Sequence, residues 1–498
     1  MTRFLNIKTG LVLILMSVFA LASRAECKPV IIPIPAQMDV TEGVYVPLEK
    51  ITVNCDDAAA AGWVKNHLQE WYGDNAPQVK GGKTPSGMNN DEEYTLAIDE
   101  KGVVLAAKTI KGVRWGLYSL RQVAMAKRHT LTVNGYIVPK MTVKDAPKSE
   151  FRGMHICWFK ETRAWEVERL IRLAAYYKMN YAVIESWGTF RSEKAPWYGW
   201  PDSDMTKAEI ARLKGIADDL GITLIPQLNV FGHASGSRGS GGKHAILDIS
   251  PEYQSLFEPL AGWNWCLTNP ESRKVLITLL AELHEAFGNP PFIHIGGDEA
   301  AEPSCPECCS RPYSEILLEL LSAIDKAINE MGARPMMWHD MLLEHGDPRW
   351  KGFYDHGTKE TAKAALTLPK DIIICDWYYG DEKPAYPTLS YFQELGYSVL
   401  TCPWINTGMR GQIKYAQAHG MYGVLATLWN HHYGDELVSM YCQSSCLMWY
   451  GDDPAIPSRQ NNFYNHLRQM GWDMKLKDHM QFGIYRYDVP TEVLNPHF

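Results

Sequence analysis

From Phe151 onward, short runs rich in β-branched residues alternate with stretches whose apolar positions recur at helical spacing. Eight such runs stand in the chain: 151–156, 181–185, 223–228, 292–295, 335–338, 372–376, 397–401 and 423–428. This alternation is the pattern of βα units around a parallel sheet. Eight units close a (β/α)₈ barrel. The intervening segments carry their own start and stop signals. Thr206, with Glu209 three residues on, opens a stripe of Ile210, Leu213, Ile216 and Leu220 that ends at Gly221. Asn269 and Pro270 open another, Leu276 to Phe287, before Gly288, and Ile316 to Ile328 repeats the pattern before Gly332. Stripes of this kind face a core, and no chemistry is assigned to them.

At 498 residues the chain is long enough for a barrel plus one smaller companion domain. Upstream, 94–98 and 103–107 read as a hairpin followed by a helix over 111–124, which makes the companion an α/β domain spanning 28–146. Pro147 marks the boundary, the barrel runs over 147–450, and 451–498 reads as a C-terminal extension packed on it. Residues 1–25 read as a secretory signal, with Arg3 and Lys8 ahead of an apolar run, Leu11 to Ala22, too short to span a bilayer. An exported protein is expected, periplasmic or at the cell surface. Lipidation at Cys27 is the alternative, although Arg24-Ala25-Glu26 lacks the small residues such processing needs. No later stretch is long and apolar enough to span a membrane. A net charge of -8 argues against nucleic acid or anionic lipid as a partner. Eleven cysteines are too few for a disulfide scaffold, so the fold must rest on its core. Cys305, Cys308 and Cys309 are the one tight cluster; without a second Cys or His pair at matching spacing, a local disulfide or free thiols are expected there rather than zinc. No cofactor or metal is expected.

In such a barrel the site lies at the C-terminal ends of the strands. Those ends are rich in Trp, Asp, Glu and His: Cys157 and Trp158, Glu185 and Trp187, Asn229 and His233, His294 with Asp298 and Glu299, Trp338 and Asp340, Asp376, Trp377 and Tyr378, Trp404, and Trp429 with His431. Carboxylates within aromatic walls suit sugar chemistry, where an oxocarbenium-like transition state needs an acid on the leaving oxygen and negative charge near the ring. Neighbours on a regular strand point to opposite faces, so Asp298 and Glu299 can share a pocket only if the strand breaks. Gly296-Gly297 directly before them supplies the break. His294, within the strand, is expected to pack beneath the site.

The run Phe292-Ile293-His294-Ile295-Gly296-Gly297-Asp298-Glu299 resembles the signature of glycoside hydrolase family 20, the β-N-acetylhexosaminidases. Leu267, Asn269 and Pro270, Phe151-Arg152-Gly153, Lys178-Met179-Asn180 and Phe231-Gly232-His233 are further matches, and 94–123 resembles the family's companion domain. The resemblance implies exo-acting, retaining release of terminal β-linked GlcNAc or GalNAc from a glycan by substrate-assisted catalysis. Asp298 would stabilise an oxazolinium formed by the substrate's acetamido oxygen, and Glu299 would act as acid and then base. Arg152 would bind ring hydroxyls, His233 would join the active-site network, and Trp338, Trp377, Trp404 and Trp429 would wall the sugar subsite.

Departures from the family pattern concern specificity. Cys157 and Lys160 stand where the family has Asp and Arg, Gln227 and Asn229 replace acids, and the usual Trp-x-Glu becomes Trp429-Asn430-His431. The family's Tyr-Leu-Asp is absent, which leaves Tyr378 as the candidate for the acetamido group. A histidine at 431 carries no obligatory negative charge, and with Lys160 it would suit a 6-substituted or sulfated sugar if these residues face the pocket. The rival reading is a non-catalytic glycan-binding protein on the same barrel. The intact Asp298-Glu299 pair speaks against it, since a binder needs no acid.

Overall fold

The computed structural model describes residues 29–126, 135–235, 246–259, 262–404, 408–429 and 434–451. The expected signal segment, Cys27, His431 and nearly all of the C-terminal extension lie outside these residues. Two compact units divide between Asp145 and Ala146.

The N-terminal unit is a mixed sheet with helices. Its strands are β1 (Gln37–Pro47), β2 (Lys50–Asn54), β3 (Gln78–Gly82), β4 (Tyr94–Asp99), β5 (Gly102–Ala107), β6 (Met125–Ala126) and β7 (Tyr136–Asp145). The sheet order is β1-β7-β4-β5-β2-β3, with β6 pairing to β7. The hairpin read from the sequence is β4-β5, paired antiparallel from Tyr94↔Ala107 to Asp99↔Gly102. The helix after it, Ile110–Val123, is capped by the Thr109 side chain. Its inner face buries Val113, Leu117 and Leu120.

The second unit closes a parallel barrel from β8 (Phe151–Trp158), β9 (Tyr181–Ser186), β10 (Thr223–Gln227), β11 (Phe292–His294), β12 (Arg334–Trp338), β13 (Ile373–Tyr378), β14 (Ser398–Pro403) and β15 (Gly423–Leu428). All eight runs read from the sequence are strands, and the fold is a (β/α)₈ barrel. Helices follow the expected punctuation. Thr206 accepts a hydrogen bond from the Glu209 N–H ahead of Lys207–Leu220, and Gly221 ends that helix in the left-handed region. Asn269 caps Pro270–Ala286.

The barrel interior changes character along its axis. At the N-terminal end Phe151 stacks on Tyr181 at 4.1 Å and meets the edge of Phe292 at 6.2 Å, an aromatic plug. Toward the C-terminal end the interior turns polar. His155, Glu185, Gln227, Asn229 and His294 are all buried there. Glu185 accepts hydrogen bonds from the Asn229 amide at 3.0 Å and the Cys157 thiol at 3.5 Å, and its Oε2 lies 2.9 Å from His155 Nε2. A buried carboxylate is tolerable only with such partners. The network forms a floor beneath the strand ends.

Candidate active site

β11 stops at His294 because Gly296 and Gly297 turn into the left-handed region, at φ +66° and +99°. A Cβ on Gly296 would sit 1.9 Å from Asn229 Oδ1. Glu299 and His233 also hold positive φ, at 47° and 53°. Non-glycine residues adopt this region rarely, and clusters of them mark sites where geometry is imposed by surroundings. Gly232 lets the loop after β10 lie against the turn, since a Cβ there would come within 2.2 Å of the Asp298 carbonyl oxygen.

The turn presents its two carboxylates unequally. The Asp298 side chain is 6% exposed and that of Glu299 47%. His233 Nε2 lies 3.0 Å from Glu299 Oε2 and 3.4 Å from Asp298 Oδ2, so one imidazole touches both acids. The Glu299 backbone is clamped on each side. Its N–H donates to Asp340 Oδ2 at 2.9 Å, and its carbonyl accepts from Trp263 Nε1 at 2.8 Å.

Asp340 is fully buried and serves three neighbours. Besides the Glu299 N–H, it accepts from Trp377 Nε1 at 3.1 Å and lies 3.0 Å from His356 Nδ1. Burial pushes the Asp340 carboxyl up, and the charge of Asp298 adds to the shift. His356 is pushed up in turn by its hydrogen bond to Asp340. Behind them burial drives His339 down to about 3 and Asp376 up to about 8. Their 3.6 Å approach is therefore a contact between neutral groups rather than an ion pair.

Aromatic rings stand around the acids. Trp338 packs on His294 at 4.4 Å and Trp429 on His155 at 4.6 Å, so both rest on the polar floor. Trp377 stacks with Tyr354 at 4.2 Å and meets Tyr379 at 5.0 Å. Tyr379 takes the Trp429 indole N–H on its hydroxyl at 2.7 Å and contacts Trp404 edge-on at 5.4 Å. Burial holds its phenol well above the usual range, and the Asp298 charge adds to this, which places that charge within electrostatic reach of the hydroxyl. The structure thus brings together Asp298, Glu299, His233, Trp377, Trp404 and Trp429, with Trp338 fully buried beneath them.

Two expected residues belong elsewhere. Tyr378 is one residue out of phase with the inward-facing Trp377; its hydroxyl donates to Asp381 O and its ring meets Phe353 at 4.9 Å. Tyr379 is the tyrosine on the pocket side. Arg152 sits second in β8, at the opposite end of the barrel from the acids. Its guanidinium donates to Lys178 O at 3.1 Å and Ser149 O at 2.8 Å and lies over Trp449, so it holds the closed end together. Cys157 is spent on Glu185, and Lys160 lies over the Trp200 ring at 4.1 Å. Neither Cys157 nor Glu185 reaches solvent. Asp340 was visible at its strand end, but its hold on Glu299, like the parts of His356, Tyr354 and Trp263, arises from contacts between residues far apart in the chain.

Two family models match the chain: glycosyl hydrolase family 20, domain 2, over residues 28–146, and the family 20 catalytic domain over residues 162–441. A β-hexosaminidase of Vibrio furnissii is 24% identical over 356 residues, covering 62% of this chain and 55% of that protein, so the chain matches about half its length. The β-hexosaminidase subunit beta of Entamoeba histolytica is 22% identical over 430 residues, 78% of this chain and 74% of the relative. In fold, the chain resembles the family 20 exo-β-N-acetylglucosaminidase of Vibrio harveyi, solved with N-acetylglucosamine, at a TM-score of 0.65 and 16% identity, over 93% of this chain and 79% of that one. The β-N-acetylhexosaminidase of Bacteroides fragilis superposes at 0.63 with 16% identity over 91% and 96%. With both domain models in sequence order and the Asp298-Glu299 turn at the mouth of the barrel, the chain belongs to glycosyl hydrolase family 20.

Proposed function

We propose that the protein is an exo-acting, retaining β-N-acetylhexosaminidase that removes terminal β-linked GlcNAc or GalNAc by substrate-assisted catalysis. The observation that carries this reading is the division of labour at the broken strand end. One carboxylate, Glu299, is half exposed; its neighbour Asp298 is buried, and one imidazole, His233, touches both. The names borne by the relatives agree with it.

In the first step the substrate's acetamido oxygen attacks C1 as the glycosidic C1–O bond breaks, and Glu299 gives its proton to the departing oxygen. Asp298 accepts the acetamide N–H and balances the positive oxazolinium that forms. In the second step Glu299 takes a proton from water, the water oxygen bonds to C1, and the acetamido oxygen leaves. Two inversions at C1 retain the β configuration, and one water is consumed. His233, touching both acids, fixes their spacing, and Asp340 fixes the backbone from which Glu299 projects. Tyr379 takes the acetamido-binding part in place of Tyr378. The Trp377, Trp404 and Trp429 rings cover the apolar faces of the sugar and its methyl group.

The proton-donor role is tested by Glu299→Gln on a series of aryl β-GlcNAc substrates. General acid catalysis is worth about 10²- to 10⁴-fold. The loss should grow as the leaving group becomes more basic. An equal loss across the series would remove Glu299 from that role.

A further inference from the structure

Six to nine residues beyond Glu299, Cys305 and Cys308 belong to a second constellation that the reaction does not use. Cys305 and Cys308, at the ends of one turn after the catalytic strand, meet Cys266 and Glu258 from the segment that precedes the Pro270–Ala286 helix. The four ligand atoms, three sulfurs and a carboxylate oxygen, lie within 4.8 Å of one another. Cys266 Sγ is 3.8 Å from Cys305 Sγ and 3.8 Å from Cys308 Sγ. A tetrahedral ion with metal–sulfur bonds of about 2.3 Å requires sulfurs about 3.8 Å apart. A disulfide requires about 2.05 Å and would use only two of the three thiols.

Glu258 supplies an independent sign. It is 2% exposed, and its Oε2 accepts the backbone N–H groups of Ser304 at 2.8 Å and Cys305 at 2.7 Å. Its Oε1 is buried and takes no hydrogen bond from a backbone or hydroxyl group among the described residues; only the Cys308 and Cys305 thiols interact with the carboxylate there. A buried carboxylate oxygen with only weak thiol donors is poorly satisfied, and a cation taken up in place of the thiol protons relieves it. The sulfurs are also prepared as acceptors. The Cys308 N–H donates to Cys305 Sγ at 3.3 Å, and Thr268 Oγ1 lies 3.1 Å from Cys308 Sγ.

We propose that Glu258, Cys266, Cys305 and Cys308 form a structural site for a thiophilic divalent cation, with Zn²⁺ the ion favoured by three thiolates and one carboxylate in a tetrahedron. Four protein ligands fill the coordination shell and leave no position for water or substrate, so the ion is not a catalyst. Its effect is on the loop that begins at the proton donor. The two segments it joins are also laced together nearer the acids, by Asn264 Nδ2 to Ala301 O at 2.6 Å, Ala301 N–H to Asn264 Oδ1 at 3.1 Å, and Trp263 Nε1 to Glu299 O. The ion closes this ladder at its far end.

The test begins with the full chain, purified under reducing conditions without chelator and assayed for metal by mass spectrometry. About one zinc per chain is expected. Substituting Co²⁺ alone should produce the intense visible bands and sulfur-to-metal charge transfer of a tetrahedral thiolate site. Cys266→Ser and Cys308→Ser should lose the metal, whereas Cys309→Ser, whose exposed thiol bonds Pro303 O, should keep it. Chelation by phenanthroline should lower the Tm of the wild type by about 5 °C or more, and added Zn²⁺ should restore it. Wild-type protein that takes up neither Zn²⁺ nor Co²⁺ overturns the proposal, whether or not the variants fold. So does peptide mapping that finds a disulfide among Cys266, Cys305 and Cys308 in active enzyme.

Discussion

Substituting Gly296 by alanine probes the link between the broken strand and the chemistry. Two costs can be read from the structure. An L-residue at φ +66° gives up about 1–2 kcal/mol relative to glycine. The new methyl would also lie 1.9 Å from Asn229 Oδ1 and 2.6 Å from its Cγ, so Asn229 must leave its place. It would then lose the bond to Glu185 at 3.0 Å and the one from Gln227 at 3.2 Å. A bond to a charged group is worth about 1.5–3 kcal/mol and a neutral one about 0.5–1.5. The expected destabilisation is therefore about 3–6 kcal/mol. Gly297→Ala meets only the flexible Met337 Cε, at 3.3 Å, and should cost mainly the backbone strain, about 1–2 kcal/mol. Urea denaturation reads the difference. kcat on 4-nitrophenyl β-GlcNAc should fall by about 10²-fold or more for Gly296→Ala, because the acids shift by a fraction of an ångström or more. Adding Asn229→Ala should recover the collision part, a favourable coupling of about 1–3 kcal/mol. Equal losses below about 1 kcal/mol at both glycines, with kcat intact, would refute the claim that this turn is held by its surroundings.

Tyr379→Phe should lower kcat/KM on N-acetylhexosaminides by about 10- to 100-fold, while Tyr378→Phe stays within about twofold; steady-state kinetics on both variants decide which tyrosine serves the pocket. Arg152→Met should destabilise the fold by about 2–4 kcal/mol in urea without changing KM, and a raised KM at unchanged stability would return Arg152 to the sugar. His356 is pushed above its ordinary 6.5 by Asp340, so its stabilising contribution is full below that pH and lost as pH rises through the shifted value. His356→Gln should therefore flatten the fall in denaturation midpoint above about pH 6.5, and a slope identical to wild type would contradict the coupling.

Much of this architecture is legible in the sequence because the barrel repeats one physical rule. Each strand run is apolar and short, each helix carries a cap and a stop, and the Gly-Gly break has a single use at that position. Residue placement inside a strand is legible too, where alternation is followed through. With Trp377 facing inward, Tyr378 must face the helices and Tyr379 the pocket. Arg152 stands second in its strand and so belongs at the N-terminal mouth, whatever motif surrounds it. Other features depend on contacts across the barrel. Asp340 reaches the Glu299 N–H 41 residues away and Trp377 37 residues away, and no local pattern encodes either. The Cys305-x-x-Cys308 half-site is visible, but Cys266 lies 39 residues before Cys305 and Glu258 has no spacing to announce it.

The central claim is that the substrate's own acetamido group is the nucleophile, oriented by Asp298. The most direct measurement compares kcat/KM of the wild-type enzyme on 4-nitrophenyl β-GlcNAc and 4-nitrophenyl β-glucoside, which share a leaving group and differ in the 2-acetamido group. Without that oxygen the oxazolinium cannot form, and the glucoside should react at least about 10³-fold more slowly, since a held nucleophile is worth many powers of ten. Comparable rates on the two substrates would contradict substrate assistance and with it the role given to Asp298.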